Sequence, residues 1–225
     1  MIQYFRDRSE AGRLLAKKLK PKYANKSDVL VLGLPRGGLP VAYQVASFLH
    51  APLDICLVRK LGLPGRKEVA MGAIGAGGIM ILDQNLVAEL KISEQALKEV
   101  IVREWQELER RERVYRGSRP VPDLNNRTII LVDDGIATGL TLKAALSIVK
   151  QQQPKRIVVA VPIAPPNICK ELETAVDEVV CLLTPEPFRA VSLWYEDFSA
   201  TTDEEVCTLL AKNTTLKKEG GDKGD

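Results

Sequence analysis

The sequence predicts an α/β protein with a Rossmann-like central parallel sheet and helices on both faces. Short β-branched runs alternate along the chain with amphipathic segments of helical length. The runs are apolar throughout, which is typical of strands that are buried on both faces of a parallel sheet. A content of 45% hydrophobic and 27% charged residues in a chain of 225 is usual for one globular domain.

Five apolar runs predict the strands of this sheet. They are residues 28–32 (DVLVL), 53–60 (LDICLVRK), 127–132 (RTIILV), 156–162 (RIVVAVP) and 177–183 (DEVVCLL). Amphipathic stretches such as GLPVAYQVASFL and GLTLKAALSIVKQQQ separate most of them, as helical crossovers between parallel strands do. Ligands of such sheets bind beyond the carboxyl ends of the strands, so we expect the functional residues there.

Two regions interrupt this alternation. Residues 61–82 (LGLPGRKEVAMGAIGAGGIMIL) are rich in glycine and predict a mobile loop that leads into a hairpin. Residues 93–116 predict a long charged helix, on which an apolar face recurs at helical spacing. That face consists of Leu97, Ile101, Trp105 and Leu108. We interpret the charges of this helix as a solvated surface and not as a nucleic-acid site.

The end of the chain predicts a last helix followed by a tail. Residues 202–205 (TDEE) fit a capping box that opens a helix. From Asn213 on, the sequence NTTLKKEGGDKGD is polar and rich in glycine, which is typical of disorder. We therefore expect one domain over residues 1–212, with a flap at about 61–82, an inserted helical region at about 83–120 and a disordered tail over 213–225.

Charge and apolar patterning point away from membranes and nucleic acids. The amino-terminal residues lack the apolar core of a signal peptide, and no apolar run approaches the roughly 18 residues of a membrane span. A net charge of +3 is too small to imply a nucleic-acid partner. The four cysteines are far apart and form no CxxC pair, so we expect buried thiols without a disulfide or zinc. These observations predict a cytoplasmic protein.

The third predicted strand ends in two adjacent carboxylates. In ILVDDGIATGLT, Asp133 and Asp134 follow the apolar run, and residues 135–141 form the turn into the next helix. Neighbouring like charges repel and lose solvation near a protein interior, so packing alone gives little reason for the pair. The free N–H groups of such a turn bind phosphate, which carboxylates cannot. A ribose 5-phosphate suits both, because its hydroxyls donate to the aspartates while its phosphate occupies the turn.

The first predicted strand ends in GLPRGGLP, residues 33–40. Gly37 and Gly38 allow the backbone to approach an anion closely, and Arg36 offers a forked donor. A plain turn between a strand and a helix is the alternative interpretation of this stretch.

The segment ILVDDGIATGLT resembles the phosphoribosyl-pyrophosphate (PRPP) binding motif of the type I phosphoribosyltransferases. Strand, acid pair and Thr-Gly loop follow one another in the family's order. The loop after the first strand is similar to the family's pyrophosphate loop, which often contains a non-proline cis peptide, and the bond between Pro35 and Arg36 is the candidate. The chain is most similar to the branch known only as predicted phosphoribosyltransferases. The resemblance implies the type I phosphoribosyltransferase fold with a flap hairpin and an inserted long helix.

The resemblance also implies that PRPP binds along these two loops. Asp133 and Asp134 would hold the ribose hydroxyls and, indirectly, the metal ion. The PRPP-binding residues would be Pro35, Arg36, Gly37, Gly38, Asp133, Asp134, Gly135, Ile136, Ala137, Thr138, Gly139, Leu140 and Thr141. Relatives usually have an apolar side chain in place of Gly135, so we expect a slightly looser turn. The 6-oxopurine enzymes often have a carboxylate in place of Ala137, which favours an adenine-like acceptor here.

The run VRKLGLPGRKE resembles a segment of the adenine phosphoribosyltransferases that a flexible flap follows. Arg59 and Lys60 would contact the leaving pyrophosphate. The flap would carry Arg66, Lys67 and Glu68 and would exclude water from an oxocarbenium-like transition state. The implied catalytic residues are Arg36, Arg59, Lys60, Asp133 and Asp134. An ordinary solvated loop is the alternative to the flap.

Residues 184–198 (TPEPFRAVSLWYEDF) are similar to the segment of the purine enzymes in which an aromatic ring stacks on the base. Phe188 has the place of that ring, whereas Trp194 and Tyr195 fit the core better.

The resemblance therefore implies a Mg²⁺-dependent enzyme of nucleotide salvage, which transfers the 5-phosphoribosyl group of PRPP to a nitrogen acceptor and releases pyrophosphate. We expect the acceptor to be a nucleobase and the protein to be a homodimer. The alternative is a non-catalytic PRPP-binding regulator, which would require a DNA-binding module or a strong basic face, and the sequence offers only the charged helix at 93–116. A dinucleotide-binding oxidoreductase is disfavoured, because GAIGAGG does not fit GxGxxG.

Overall fold

The computed structural model describes residues 4–220, apart from the side chains of residues 67–68 and 214–220. Its strands are β1 (Val29–Gly33), β2 (Leu53–Ile55), β3 (Val58–Leu63), β4 (Arg66–Gly75), β5 (Ile79–Leu82), β6 (Thr128–Val132), β7 (Arg156–Ile163) and β8 (Glu178–Leu183). Its α-helices are α1 (Arg8–Tyr23), α2 (Gly38–Leu49), α3 (Gln84–Glu89), α4 (Glu94–Arg116), α5 (Leu140–Gln151), α6 (Pro166–Glu173) and α7 (Asp203–Gly220).

These elements form two compact units. The first unit comprises the described residues up to Ile55, Leu124–Gly139, and those from Pro154 onward. The second comprises Cys56–Asp123 and Leu140–Gln153.

The first unit contains a five-stranded sheet in the order β2-β1-β6-β7-β8, and every neighbouring pair is parallel. All residues of the central strands β1 and β6 are buried, as expected for strands covered on both faces. The register pairs Gly33 at the end of β1 with Val132 at the end of β6. Residues 34–38 and 133–134 therefore leave the sheet side by side at its carboxyl edge.

Helices surround this sheet and approach one another closely. A Cβ atom on Gly12 of α1 would lie 2.7 Å from the carbonyl oxygen of Val41 in α2, so only glycine permits this approach. The α/β prediction with a central parallel sheet is confirmed.

The second unit contains a three-stranded antiparallel sheet in the order β3-β4-β5. Ala144 and Ile148 of α5 pack on this sheet in a small core with Ala73, Val58 and Ile79. The hairpin predicted within residues 61–82 is present. The long helix predicted at 93–116 is also confirmed as α4, and the Ser93 hydroxyl caps it by accepting a hydrogen bond from the N–H of Ala96 at 3.2 Å.

The single strand predicted over residues 53–60 is wrong. β2 ends at Ile55 and β3 begins at Val58, so Arg59 and Lys60 lie in the antiparallel sheet and not at the carboxyl end of a parallel strand. Cys56 and Leu57, between the two strands, are buried like Ile55 at the end of β2. Apolar patterning therefore gave no sign of the point at which the chain leaves one sheet for the other.

The prediction of a disordered tail from Asn213 is also wrong where the structure describes it. Thr202 caps α7 as predicted, because its hydroxyl accepts a hydrogen bond from the N–H of Glu205 at 3.1 Å. The helix then continues to Gly220. Asn213 is buried, and its side-chain oxygen accepts a hydrogen bond from the N–H of Leu53 at 2.9 Å. Residues 221–225 lie outside the described part of the chain.

The cysteines and the helices were also compared with the predictions from the sequence. In the part of the chain that the structure describes, the four cysteines form no disulfide. Within residues 4–220, none of the helices is both long and apolar enough to cross a membrane.

Candidate active site

The loop after β1 makes a tight turn into α2. The peptide bond between Pro35 and Arg36 is cis, as predicted. The N–H of Gly38 donates to the carbonyl oxygen of Leu34 at 3.0 Å, and the N–H of Leu34 donates to the carbonyl oxygen of Val132 at 2.9 Å. The loop is thereby fixed to the end of β6, directly beside the acid pair.

The two glycines of this loop lie against the two aspartates. A Cβ atom on Gly37 would overlap Oδ2 of Asp134, and one on Gly38 would lie 2.9 Å from the Cα atom of Asp133. No real Cβ atom tolerates such an approach, so any side chain would displace either the loop or a carboxylate. From the sequence we expected Gly37 and Gly38 to approach an anionic ligand, and the structure adds their approach to the acid pair.

The acid pair lies in an environment that disfavours ionisation. Burial, followed by the charge of Asp134, raises the pKa of Asp133 well above its usual value. Burial also raises the pKa of Asp134, although hydrogen bonding to Arg8 opposes this shift. The N–H of Asp134 donates to Oδ1 of Asp133 at 2.9 Å, which fixes the orientation of the first carboxyl group. Two adjacent, partly buried acids at the carboxyl edge of a sheet are typical of a ligand site.

Two side chains that were not selected from the sequence hold Asp134. Nε of Arg8 donates to Oδ2 of Asp134 at 2.7 Å, and the hydroxyl of Tyr195 donates to the carbonyl oxygen of Asp134 at 2.6 Å. Burial and the nearby Asp134 raise the pKa of Tyr195, so its hydroxyl keeps the proton it donates. Neither residue lies in a motif, because each reaches the site through the fold.

The loop after the acid pair leads into α5. The N–H of Ile136 donates to the carbonyl oxygen of Ile163 at the end of β7, which anchors the buried Ile136 beneath the loop. Ala137 and Thr138 are exposed, and Gly139 has a φ of +72°, a conformation that favours glycine. The loop therefore has a fixed base and an accessible rim, as a phosphate cradle requires.

Gly135 is required by packing. A Cβ atom there would lie 2.6 Å from Cγ1 of Val191 and 2.8 Å from Cγ2 of Ile163. Val191 and Ile163 already fill the space that a side chain at residue 135 would need, so the structure gives no support for the looser turn that we expected.

A family model described as a phosphoribosyl transferase domain matches residues 6–192, which include both loops and the acid pair. The chain belongs to the phosphoribosyl transferase family. The crystal structure of TT1426 from Thermus thermophilus is similar, with 43% sequence identity and a TM-score of 0.82 over 93% of this chain and 98% of that chain. The type I phosphoribosyltransferase fold is thus confirmed.

Two relatives align with most of this chain. A Mycobacterium tuberculosis protein assigned as a phosphoribosyl transferase is 45% identical over 210 residues, which are 93% of this chain and 47% of that protein. The chain therefore spans about half the length of this relative. The bifunctional protein PyrR of Clostridium novyi is 24% identical over 182 residues, covering 76% of this chain and 83% of PyrR.

The predicted PRPP-binding residues divide between the two units. The residues 35–38 and 133–139 belong to the first unit, whereas Leu140 and Thr141 begin α5 of the second. Arg36 is half exposed, and its guanidinium lies 3.7 Å from a carboxylate oxygen of Asp203 in the first turn of α7. The two loops of the first unit lie side by side at the carboxyl edge of the sheet.

The predicted cations of the flap region lie in the second unit. Nε of Arg59 in β3 donates to Oε2 of Glu104 in α4 at 2.9 Å, and the same carboxylate also pairs with Arg103. Arg66 is exposed at the start of β4. The side chains of Lys67 and Glu68 lie outside the described part of the structure.

The aromatic residues after β8 form an apolar cluster in the first unit. Phe5, Ala11, Ile163 and Tyr195 are buried there, and Phe188 packs against them while keeping part of its surface exposed. Tyr195 is a core residue, as predicted. Phe188 retains an exposed part that could contact a ligand.

The donor set of the site suits a hard cation. Asp133 and Asp134 offer carboxylate oxygens, the ligands that Mg²⁺ prefers. Among the described residues, no three side chains of His, Cys, Asp or Glu come together as a metal cage. The two carboxylates fit a Mg²⁺ ion that they would reach through water and that the ligand itself would mainly hold.

Proposed function

We propose that the protein transfers the 5-phosphoribosyl group of PRPP to a nitrogen acceptor and releases pyrophosphate. The observation that carries this proposal is the close approach of the acid pair and the Gly37–Gly38 turn at the carboxyl edge of one parallel sheet. The pair offers acceptors for two ribose hydroxyls, and the loop that follows offers N–H donors for the 5-phosphate. Membership of the phosphoribosyl transferase family supports the same reaction class.

In this proposal the protein acts by orientation and charge. Asp133 and Asp134 fix the ribose, so that the nucleophile and the leaving group lie in line across its C1 atom. Arg36, which is half exposed beside the acid pair, donates to the leaving pyrophosphate. For Arg59 and Lys60 the same role stays a prediction from the sequence, and for Arg59 it would require that the guanidinium leave Glu104. Mg²⁺ on the pyrophosphate would supply further charge neutralisation.

The proposed acceptor is a nucleobase or a similar flat heterocycle with Phe188 as its stacking face. Phe188 follows β8 and is held by the apolar cluster beneath it, with part of its surface exposed. Ala137 provides no carboxylate for a purine proton, which supports an adenine-like acceptor over a 6-oxopurine. Replacing Phe188 with Ala should raise the KM for the acceptor while leaving PRPP affinity nearly unchanged, and a loss of PRPP binding would contradict the stacking role.

Pyrophosphate release from PRPP and Mg²⁺, measured against a panel of free bases and amines, tests this proposal. The Asp133→Asn and Asp134→Asn variants should each bind PRPP about 10- to 150-fold more weakly, because each loses a hydrogen bond to a charged group. Asp28→Asn is a matched control, since Asp28 lies at the opposite, amino-terminal edge of the sheet and pairs with Lys155.

Two outcomes would contradict the proposal. Unchanged PRPP affinity in both acid-pair variants would exclude the ribose assignment. Tight PRPP binding without pyrophosphate release for any acceptor would favour the non-catalytic regulator instead.

A further inference from the structure

Arg8 is fixed on three sides within the first unit. Its Nε atom donates to Oδ2 of Asp134 at 2.7 Å, and its Nη1 atom donates to the carbonyl oxygen of Ser199 at 2.6 Å. Its Cζ atom lies 3.9 Å from the centre of the Phe198 ring, so the guanidinium plane rests on an aromatic face. The side chain of Arg8 is 11% exposed. An arginine held in this way has one orientation, and it imposes that orientation on the carboxylate it contacts.

Stability alone is a weak reason for such an arrangement. Taking an arginine and a carboxylate out of water costs about as much as their attraction returns, and apolar side chains of similar size often serve the fold equally well. Arginine also presents a planar fork that matches a carboxylate, which the point charge of a lysine does not. The geometry therefore fits a residue that orients a functional group better than one that only fills the core.

The carboxylate that Arg8 holds is also the one that lies against the pyrophosphate loop. A Cβ atom on Gly37 would overlap Oδ2 of Asp134, and it would lie 3.2 Å from Nε of Arg8. A rotation of the Asp134 carboxylate toward the loop would therefore collide with Gly37. The hydrogen bond from Arg8 stabilises the remaining orientation of the Asp134 carboxylate. The positive charge of Arg8 also offsets the repulsion between Asp133 and Asp134.

We propose that Arg8 is a positioning residue, which orients the Asp134 carboxylate for a ribose hydroxyl and compensates the charge of the acid pair. This inference rests on the proposed function, because it assumes that Asp134 binds the ribose of PRPP. Arg8 acts through Asp134 and contacts no part of the substrate. Phe198 and Ser199 support it from the opposite side.

A double-mutant cycle tests this role. PRPP affinity, with Mg²⁺ present, is measured by calorimetry for the wild type, Arg8→Met, Asp134→Asn and the double variant, together with thermal unfolding of each ligand-free protein. Arg8→Met should weaken PRPP binding by about 10-fold or more in the wild-type background. It should have little further effect once Asp134 is Asn, because the group that Arg8 positions is then already lost. Arg8→Lys, which keeps the charge but not the planar fork, should recover affinity only in part.

Arg6→Met is the matched control, since Arg6 lies two residues away and pairs with Asp7 at the surface. It should leave PRPP affinity unchanged. If Arg8→Met lowers the unfolding temperature but not PRPP affinity, Arg8 is structural and the inference is overturned. If Arg8→Met does not fold, Arg8→Lys and Phe198→Leu provide the same comparison. A PRPP affinity equal to that of the wild type in both variants would also overturn the inference. Failure of the wild type to bind PRPP would instead remove the proposed function, on which the inference depends.

Discussion

At the scale of single residues, the site retains two acidic groups under conditions that oppose their ionisation. Burial and the neighbouring charge raise the pKa of Asp133, while Arg8 offsets part of the same effect at Asp134. In the proposed function, the loops and the acid pair must both reach the same ligand, which accounts for this crowding. The acid pair therefore lowers the free energy of unfolding of the ligand-free protein.

That cost predicts a stabilising substitution. A carboxyl group with a raised pKa in the folded protein reduces the free energy of unfolding as the pH rises above its unfolded pKa of about 4, and the reduction levels off above the folded pKa. Asn cannot ionise, so Asp133→Asn should raise the unfolding temperature of the ligand-free protein at neutral pH. Calorimetric scans between about pH 4 and 8 should show this difference shrinking toward the acidic end.

Asp28→Asn should behave in the opposite way. Hydrogen bonding to Lys155 lowers the pKa of Asp28, so its contribution to stability is present above its unfolded pKa and is lost on acidification. The substitution should therefore lower the unfolding temperature at neutral pH. A wild type that is more stable than Asp133→Asn at neutral pH would contradict the explanation based on burial.

At the residue level, the sequence predicted the cis bond at Pro35 because a short motif contains it. The acid pair, the two glycines and the cis bond at Pro35 each lie in one contiguous stretch, and the structure brings these stretches together. Arg8 could not be predicted in this way, because it is 126 positions from Asp134 and its surroundings in the sequence resemble any helix start. Long-range partners depend on the fold and leave no local signal.

At the scale of elements, β3 and α4 are joined through Arg59 and Glu104. The Arg59 and Glu104 side chains are 29% and 12% exposed, so the pair is shielded from solvent only in part. From the sequence, Arg59 was expected at the leaving group, because residues 53–60 were predicted as one strand and VRKLGLPGRKE resembles a segment of the adenine phosphoribosyltransferases. The break at Cys56 and Leu57 separates the two strands, and Arg59 of β3 contacts Glu104 of α4.

Glu104→Gln should lower the free energy of unfolding by about 1 kcal/mol, since it replaces a charge-assisted hydrogen bond by a neutral one. Denaturant unfolding would measure the change. Glu109→Gln, on the exposed surface of the same helix, is the control and should have almost no effect. Equal effects of the two substitutions would show that the Arg59–Glu104 pair contributes nothing specific.

The hairpin between β3 and β4 carries the proposed flap. Its tip, residues 64–66, is exposed, and Gly65 has a φ of +75°. If the hairpin closes over ligand, tryptic cleavage at Arg66 should slow when PRPP and Mg²⁺ are present. Cleavage at the exposed Arg110 of α4 serves as the internal reference, because it should not change. Equal cleavage rates at Arg66 with and without ligand would contradict a lid.

At the scale of the whole molecule, alternation of strands and helices predicted the five-stranded sheet because parallel sheets have a strong apolar signal. The end of the chain was predicted less well, because a polar sequence was taken to be solvated. Asn213 instead caps unpaired backbone groups near β2, accepting from the N–H of Leu53 and donating to the carbonyl oxygen of Ala51. Composition cannot distinguish a polar residue that forms hydrogen bonds with buried backbone groups from one that is exposed to solvent.

Asn213→Ala should therefore lower the free energy of unfolding by about 1–3 kcal/mol, the cost of leaving a buried donor unsatisfied. Thermal or denaturant unfolding would measure it. Lys212→Ala, at the adjacent exposed position, should stay within about 0.5 kcal/mol of the wild type. If Asn213→Ala lowers the free energy of unfolding no more than Lys212→Ala does, Asn213 belongs to a solvated tail instead.

The pairing between the first and last parts of the domain determines when the site is complete during synthesis. The N–H of Phe5 donates to the carbonyl oxygen of Trp194, and the N–H of Asp197 donates to the carbonyl oxygen of Arg6. Tyr195, whose hydroxyl donates to Asp134, lies between these two bonds in the sequence. Arg8 likewise needs Phe198 and Ser199. A nascent chain that has emerged from the ribosome only to the acid pair lacks every one of these supports. Binding competence should therefore arise late in translation, after residue 199 has left the exit tunnel, although the acid pair and the loop beside it emerge much earlier.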